Sequence, residues 1–179
     1  MSTKVAQDTN ALRVTRLIKA PRERVFAAWT TPEDITKWFG PGTCRMLSAV
    51  VDLRVGGEYR FRVNSPECAE NGAGKGEAAN VMEVCGVYRE ITRPARLVHT
   101  WSWEPRQDFG ESLVTVDFLD KEGFTEVRLT HERLPNAEQR DKHSHGWNGC
   151  LDKLEKQLAP ADDGPSAVSP RSSAWSPTQ

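Results

Sequence analysis

Two periods of apolar and polar residues run along this chain, and the switches between them mark its elements. Residues 11–20, ALRVTRLIKA, read as a strand with Leu12, Val14 and Ile18 on one side. Pro21 suits the first turn of a short helix through Trp29, with RERVFAAW as its body. Thr31-Pro32-Glu33-Asp34 predicts a second helix start: a threonine N-cap, proline at the first helical position and acids near the positive end of the dipole. That helix carries Ile35, Trp38 and Phe39, and Gly40-Pro41-Gly42 stops it. From Cys44 onward the period is two. Residues 44–53 form one strand before the turn at Gly56-Gly57, and residues 58–63 place Tyr59, Phe61 and Val63 opposite Glu58, Arg60 and Arg62. Residues 84–91 and 97–103 follow as strands separated by Arg93-Pro94, with Leu97, His99, Trp101 and Trp103 sharing a face. Residues 111–119 and 124–133 complete a hairpin across 120–123, with Val127, Leu129 and His131 together.

The period returns to 3.6 over residues 136–158, NAEQRDKHSHGWNGCLDKLEKQL. On a wheel centred at Trp147, the side chains of Leu158, Leu154, Leu151, Cys150 and His143 fall in a stripe roughly 100° wide, while Asp152, Lys153, Glu155 and Lys156 point away. Such a helix buries nothing by itself, so the strands must build the surface it lies against. The expectation is an α+β domain over residues 11–159: a curved antiparallel sheet of about six or seven strands around a long C-terminal helix, with two short helices after the first strand. Residues 1–10 read as a loose terminus, 64–80 as a long mobile loop, and the Pro- and Ser-rich 160–179 as a disordered tail with a lone Trp175.

Composition narrows the function classes. A length of 179 residues suits one domain, and a formal charge of −1 gives no electrostatic reason to expect nucleic acid or an anionic membrane. No apolar run approaches the roughly 18 residues of a membrane span, and the first residues lack a signal core. Cys44, Cys68, Cys85 and Cys150 are scattered without C-x-x-C spacing, which favours reduced thiols in the cytoplasm over a disulfide framework or a zinc site.

Six phrases, in order, resemble one family: A-P-R-E-R-V-F-A-A-W (20–29), W-F-G-P (38–41), D-L-R-V-G-G-E-Y-R-F (52–61), G-V-Y-R-E-I (86–91), L-V-H-T-W-S-W (97–103) and G-W-N-G-C-L-D-K-L-E (146–155). They resemble the homologues of the activator of the heat-shock protein 90 ATPase, within the START-like (SRPBCC) superfamily. The resemblance covers roughly residues 11–158. It implies a helix-grip fold with a deep apolar cavity between the curved sheet and the C-terminal helix, though the fold alone names no ligand. A glycine-rich segment at 64–80 and the tail after Ala159 depart from the family pattern.

Trp38, Phe39, Tyr59, Phe61, Tyr88, Trp101, Trp103 and Trp147 are a large aromatic set for one small domain. Each taken singly suits an ordinary core, and together they suit the wall of a cavity. With His99, His143 and Leu151 they make up the expected ligand-binding set. His143 and His145 diverge by about 160° on the wheel, so no metal site is expected from them. Cys150 lies on the apolar stripe as an inert thiol. Arg140, on the stripe side, either snorkels to solvent or binds a ligand carboxylate. Asp52, Arg54 and Glu58 read as a surface ion-pair group. Gly72-Ala73-Gly74-Lys75-Gly76 fits neither G-x-G-x-x-G nor G-x-x-x-x-G-K, and G-x-S-x-G and H-E-x-x-H are absent.

The leading expectation is thus a small cytoplasmic protein, monomer or homodimer, that holds an apolar or aromatic molecule without cofactor or metal. An enzymatic alternative is a cyclase or aromatase acting on a polyketide-like substrate, with His99, Tyr59, Tyr88 and His143 as acid–base candidates. A third is a co-chaperone stimulating a chaperone ATPase. The resemblance implies that the family's namesake carries a further N-terminal domain in its chaperone contact, and no stretch of this sequence is expected to supply one.

Overall fold

The computed structural model describes residues 10–64, 81–104 and 110–160. Seven strands and three helices follow one another as β1 (Leu12–Ile18), α1 (Arg22–Thr30), α2 (Pro32–Trp38), β2 (Arg45–Val51), β3 (Glu58–Asn64), β4 (Val81–Thr92), β5 (Arg96–Glu104), β6 (Ser112–Lys121), β7 (Phe124–Glu132) and α3 (Ala137–Leu158). Every strand pair is antiparallel, and the spatial order is β1-β7-β6-β5-β4-β3-β2. The hairpins from β2 to β7 lay strands side by side in chain order. β1 then closes against β7, so the first two strands become opposite edges, and α1 and α2 carry the chain from one to the other. The sheet curls into a half-barrel around α3.

Register explains the curl. One extra residue, Leu47, sits on β2 between the pairs Met46–Val63 and Ser48–Arg62, and another, Arg89, sits on β4 between Tyr88–His99 and Glu90–Val98. Each bulge bends its strand and increases the local twist. Gly86 does a different job. A Cβ there would lie 2.0 Å from the Thr100 carbonyl oxygen and 2.8 Å from the Tyr59 ring. Its missing side chain lets Tyr59 cross the sheet face and donate its hydroxyl to that carbonyl at 2.7 Å.

The alternating strands bury one face. Tyr59, Phe61 and Val63 of β3, Leu97, His99 and Trp101 of β5, and Val127, Leu129 and His131 of β7 are all buried. The helix stripe meets them with Trp147, Cys150, Leu151, Leu154 and Leu158, and Asn136 caps α3 by accepting from the Gln139 amide at 2.9 Å. On the outer side Arg16 of β1 ties to Asp152, Glu155 and Asn148 of α3. Gly149 lets α3 approach Pro41, whose Cβ lies 2.9 Å from where a glycine replacement's Cβ would stand.

Three local expectations change. Thr31 has the extended backbone of an N-cap, but its side chain makes no capping bond. It is shared between two helices: its N–H donates to Ala27 O, and its carbonyl takes the amides of Asp34 and Ile35. Cys44 and Leu53 flank β2 rather than joining it, because Cys44 is held in the Gly40–Cys44 turn by a bond to Pro41 O. Lys153, expected to point to solvent, reaches back to donate to Gly40 O at 2.6 Å and Cys44 O at 3.3 Å, so its stem lies along α3 while its ammonium closes that turn. The expected loop (beyond Asn64), Cys68 and the tail beyond Pro160 lie outside the described residues.

Candidate functional site

Between the sheet and α3 lies a void walled by Trp29, Ile35, Trp38, Phe39, Tyr59, Phe61, Tyr88, Leu97, His99, Trp101 and Trp147. Eight of the eleven expected ligand-binding residues therefore share it: α2 and its end supply Trp38 and Phe39, β3 supplies Tyr59 and Phe61, β4 supplies Tyr88 at its bend, β5 supplies His99 and Trp101, and α3 supplies Trp147. Trp147 stands at the centre of the ring contacts. It stacks on Trp29 at 5.9 Å and 21°, meets Trp101 at 5.1 Å, and turns its edge to Phe39 at 6.3 Å.

The volume corrects one expectation. The void measures about 20 Å³, counted by where the centre of a water molecule fits. That is room for one water, against roughly 150 Å³ for a cavity that takes benzene. The deep hollow implied by the family resemblance is nearly closed here because the rings that line it pack against one another.

Two expected residues belong elsewhere. Trp103 and His143 line a smaller void of about 10 Å³ with Trp101, Ser112, Leu134 and Pro135. There the Trp103 indole donates to His143 Nε2 at 3.0 Å, which leaves the proton on Nδ1 for Gln139 O at 2.8 Å. Leu151 is fully buried in the core but does not border the main void. Trp29, Ile35 and Leu97 do border it and were not among the expected wall residues.

His131 is the larger omission. It is wholly buried, and Trp147 donates its indole N–H to Nδ1 at 3.2 Å. The imidazole proton therefore sits on Nε2 and is given to Ser112 Oγ at 2.8 Å, whose own proton goes to Trp101 O at 3.1 Å. Two indole–imidazole bonds thus pin α3 to the sheet, Trp147 to His131 of β7 and His143 to Trp103 of β5. The signal was present in the alternation that put His131 beside Val127 and Leu129, but its partner on α3 depends on how the helix is rotated.

His99 has a third arrangement. Tyr59 spends its hydroxyl proton on Thr100 O, so His99 donates Nδ1–H to Tyr59 Oη at 3.1 Å and Thr100 O at 3.2 Å. Its Nε2 is left as an acceptor. Burial pushes His99 down to about 4 and His131 well below the ordinary histidine value; His143 is lowered by burial too, partly offset by its bond to Gln139 O. All three are neutral at pH 7. Burial also raises Tyr59 and Tyr88 above the ordinary tyrosine value. His145 is exposed while His143 is turned inward, and among the described residues no group of three or more His, Cys, Asp or Glu could hold a metal ion. Cys150 accepts from Gly40 N at 3.3 Å, and burial pushes its thiol up to about 12. Arg140 turns to Asp141 at 2.9 Å, and Asp52 pairs with Arg54 at 2.8 Å without Glu58.

A curled antiparallel sheet gripping one long C-terminal helix over an aromatic-lined interface defines a START-like helix-grip protein. The chain belongs to the family described as Activator of Hsp90 ATPase homolog 1-like protein, whose model matches residues 19–159. Protein CV1439 from Chromobacterium violaceum is similar in structure at a TM-score of 0.69 and 23% identity, covering 84% of this chain and 98% of that one. A putative uncharacterized protein from Rhizobium leguminosarum aligns at 0.66 and 28%, covering 83% and 93%. PFC0360w from Plasmodium falciparum, described as an HSP90 activator, aligns at 0.60 and 24%, covering 83% and 95%. No curated protein matches the chain. Among the described residues no helix is long and apolar enough to cross a membrane.

Proposed function

We propose that this chain binds an apolar or aromatic small molecule between the sheet and α3, in an interface that is closed when empty and parts around the ligand. The observation that carries the reading is the wall itself: among the described residues eight of its eleven side chains are Trp, Tyr or Phe, drawn from six different elements and Phe39 at the end of α2, and none carries a formal charge at pH 7. Rings from separate elements can be parted by a small rigid-body shift of α3, whereas a core interdigitated within one element cannot. Burial of apolar surface supplies the driving force. Native mass spectrometry of protein purified without heat should show an added small mass, and an apolar compound that binds should raise the melting temperature. Protein that arrives bare, and whose melting temperature no apolar compound raises, would refute the reading.

The Tyr59–His99 pair favours the cyclase-like alternative, since both groups sit in the wall within hydrogen-bond distance. Both groups titrate far from pH 7, which argues against it. An acid–base catalyst works best with a pKa near the operating pH, and His99 stands near 4 while Tyr59 is raised. The Plasmodium relative's description as an HSP90 activator suggests stimulation of a chaperone ATPase instead. An ATPase assay with purified chaperone separates the two: stimulation would move the function from the interior to the surface.

A further inference from the structure

Four tryptophans line the main void, and their indole N–H groups fall into two pairs. Trp38 donates to Ala28 O at 2.8 Å and Trp147 donates to His131 at 3.2 Å. The indole nitrogens of Trp29 and Trp101 are buried with no hydrogen-bond partner, in residues that are 6% and 4% exposed. A buried donor left unpaired carries a desolvation cost, and native proteins leave few of them without a reason. Both of these rings contact Trp147, Trp29 stacked at 5.9 Å and Trp101 tilted at 5.1 Å between centroids. The remaining polar groups of the wall carry no charge at pH 7: Tyr59 gives its proton to Thr100 O, burial raises Tyr88 above the ordinary tyrosine value, and His99 is neutral. Among the described residues no Lys, Arg, Asp or Glu borders the void.

A wall with two idle N–H donors and no cation selects by chemistry. A hydrocarbon leaves both donors unpaired. A carboxylate supplies an acceptor but loses its hydration without gaining a counter-charge. A neutral carbonyl oxygen has two lone pairs and little to lose. We infer that the ligand is a neutral, flat molecule with a carbonyl-type oxygen that accepts from the indoles of Trp29 and Trp101. This rests on the binding reading above and narrows it to a ligand class.

The test uses the full chain and three ligands on one bicyclic frame: indane, 1-indanone and indane-1-carboxylate. Affinities come from calorimetric titration, and proton–nitrogen NMR follows the indole N–H signals of the six tryptophans. The expected result is 1-indanone binding about tenfold or more tighter than indane, with the carboxylate no better than indane. Two indole protons move downfield with the ketone, and Trp29→Phe and Trp101→Phe identify them. Equal affinity for indane and 1-indanone overturns the inference alone, since a trapped water would then already serve both donors. Tightest binding of the carboxylate overturns it as well. Binding of none of the three overturns the small-molecule reading together with the inference. The wild-type comparison stands even if a phenylalanine variant does not fold.

Discussion

Acidification from pH 7 to pH 5 should weaken the fold by an amount that the burial of His99 sets. In the folded protein His99 stays neutral down to about 4, while the unfolded chain takes up a proton near 6.5. The folded value is depressed, so the unfolded state binds more protons throughout that window. Stability is therefore full above pH 6.5, falls as the pH drops below it, and levels off near 4. At about 1.4 kcal/mol per pH unit, His99 alone costs about 2 kcal/mol by pH 5. His131 and His143 are lowered as well, by burial first, and add in the same direction. Burial raises Asp34, but bonds from Arg24 and Lys37 outweigh it and hold the group below its ordinary value, so its contribution is lost only as the pH falls below about 3.8. The assay is urea unfolding followed by tryptophan fluorescence at pH 7, 6 and 5, with His99→Phe as the comparison. Wild type should lose at least about 2 kcal/mol, and His99→Phe should lose correspondingly less over the same interval. A wild-type stability that is flat between pH 7 and 5 would contradict the buried, neutral histidines.

Three other outcomes follow from the packing. Trp147→Ala removes the hub of the ring contacts and strands the His131 acceptor, and it should cost about 3–5 kcal/mol by urea unfolding; a wild-type midpoint would mean Trp147 is not the wall residue described. Gly86→Ala puts a Cβ 2.0 Å from Thr100 O, so it should destabilise by more than about 1 kcal/mol, whereas an unchanged melting temperature would show that β4 and β5 do not approach so closely. Cys150, buried and with its thiol near 12, should resist a thiol reagent until the protein unfolds, while among the described cysteines the partly exposed Cys85 reacts first; prompt labelling of Cys150, mapped by peptide mass, would count against the helix stripe.

Much of the fold was legible because two physical periods are hard to counterfeit. Alternation in Glu58–Asn64 and Phe124–Glu132 marked the buried face residue by residue, and the 3.6 stripe on α3 put Trp147, Leu151 and Leu154 inside. What stayed hidden depends on relations between elements. The shared cap at Thr31 arises because α1 ends where α2 begins, and a lone Thr-Pro cannot announce that. Lys153 looked solvated on a helical wheel, yet the Gly40 turn supplies carbonyls that no wheel contains. The site divided along the same line. Tyr59, His99 and Trp101 were placed on inward faces by strand parity alone, whereas the Trp147–His131 bond needed the rotation of α3 against β7. The size of the hollow was the least legible quantity of all, since it is set by how eight rings tilt against each other rather than by which residues supply them.

To admit a ligand, the ring-lined interface beneath α3 has to open. A crystal structure of the full chain grown with 1-indanone addresses that opening most directly. The ketone should lie between Trp101 and Trp147, those rings parted beyond their present 5.1 Å, with the oxygen within hydrogen-bond distance of the indole nitrogens of Trp29 and Trp101. A void still near 20 Å³, with the ketone on the outer surface or missing, would contradict it.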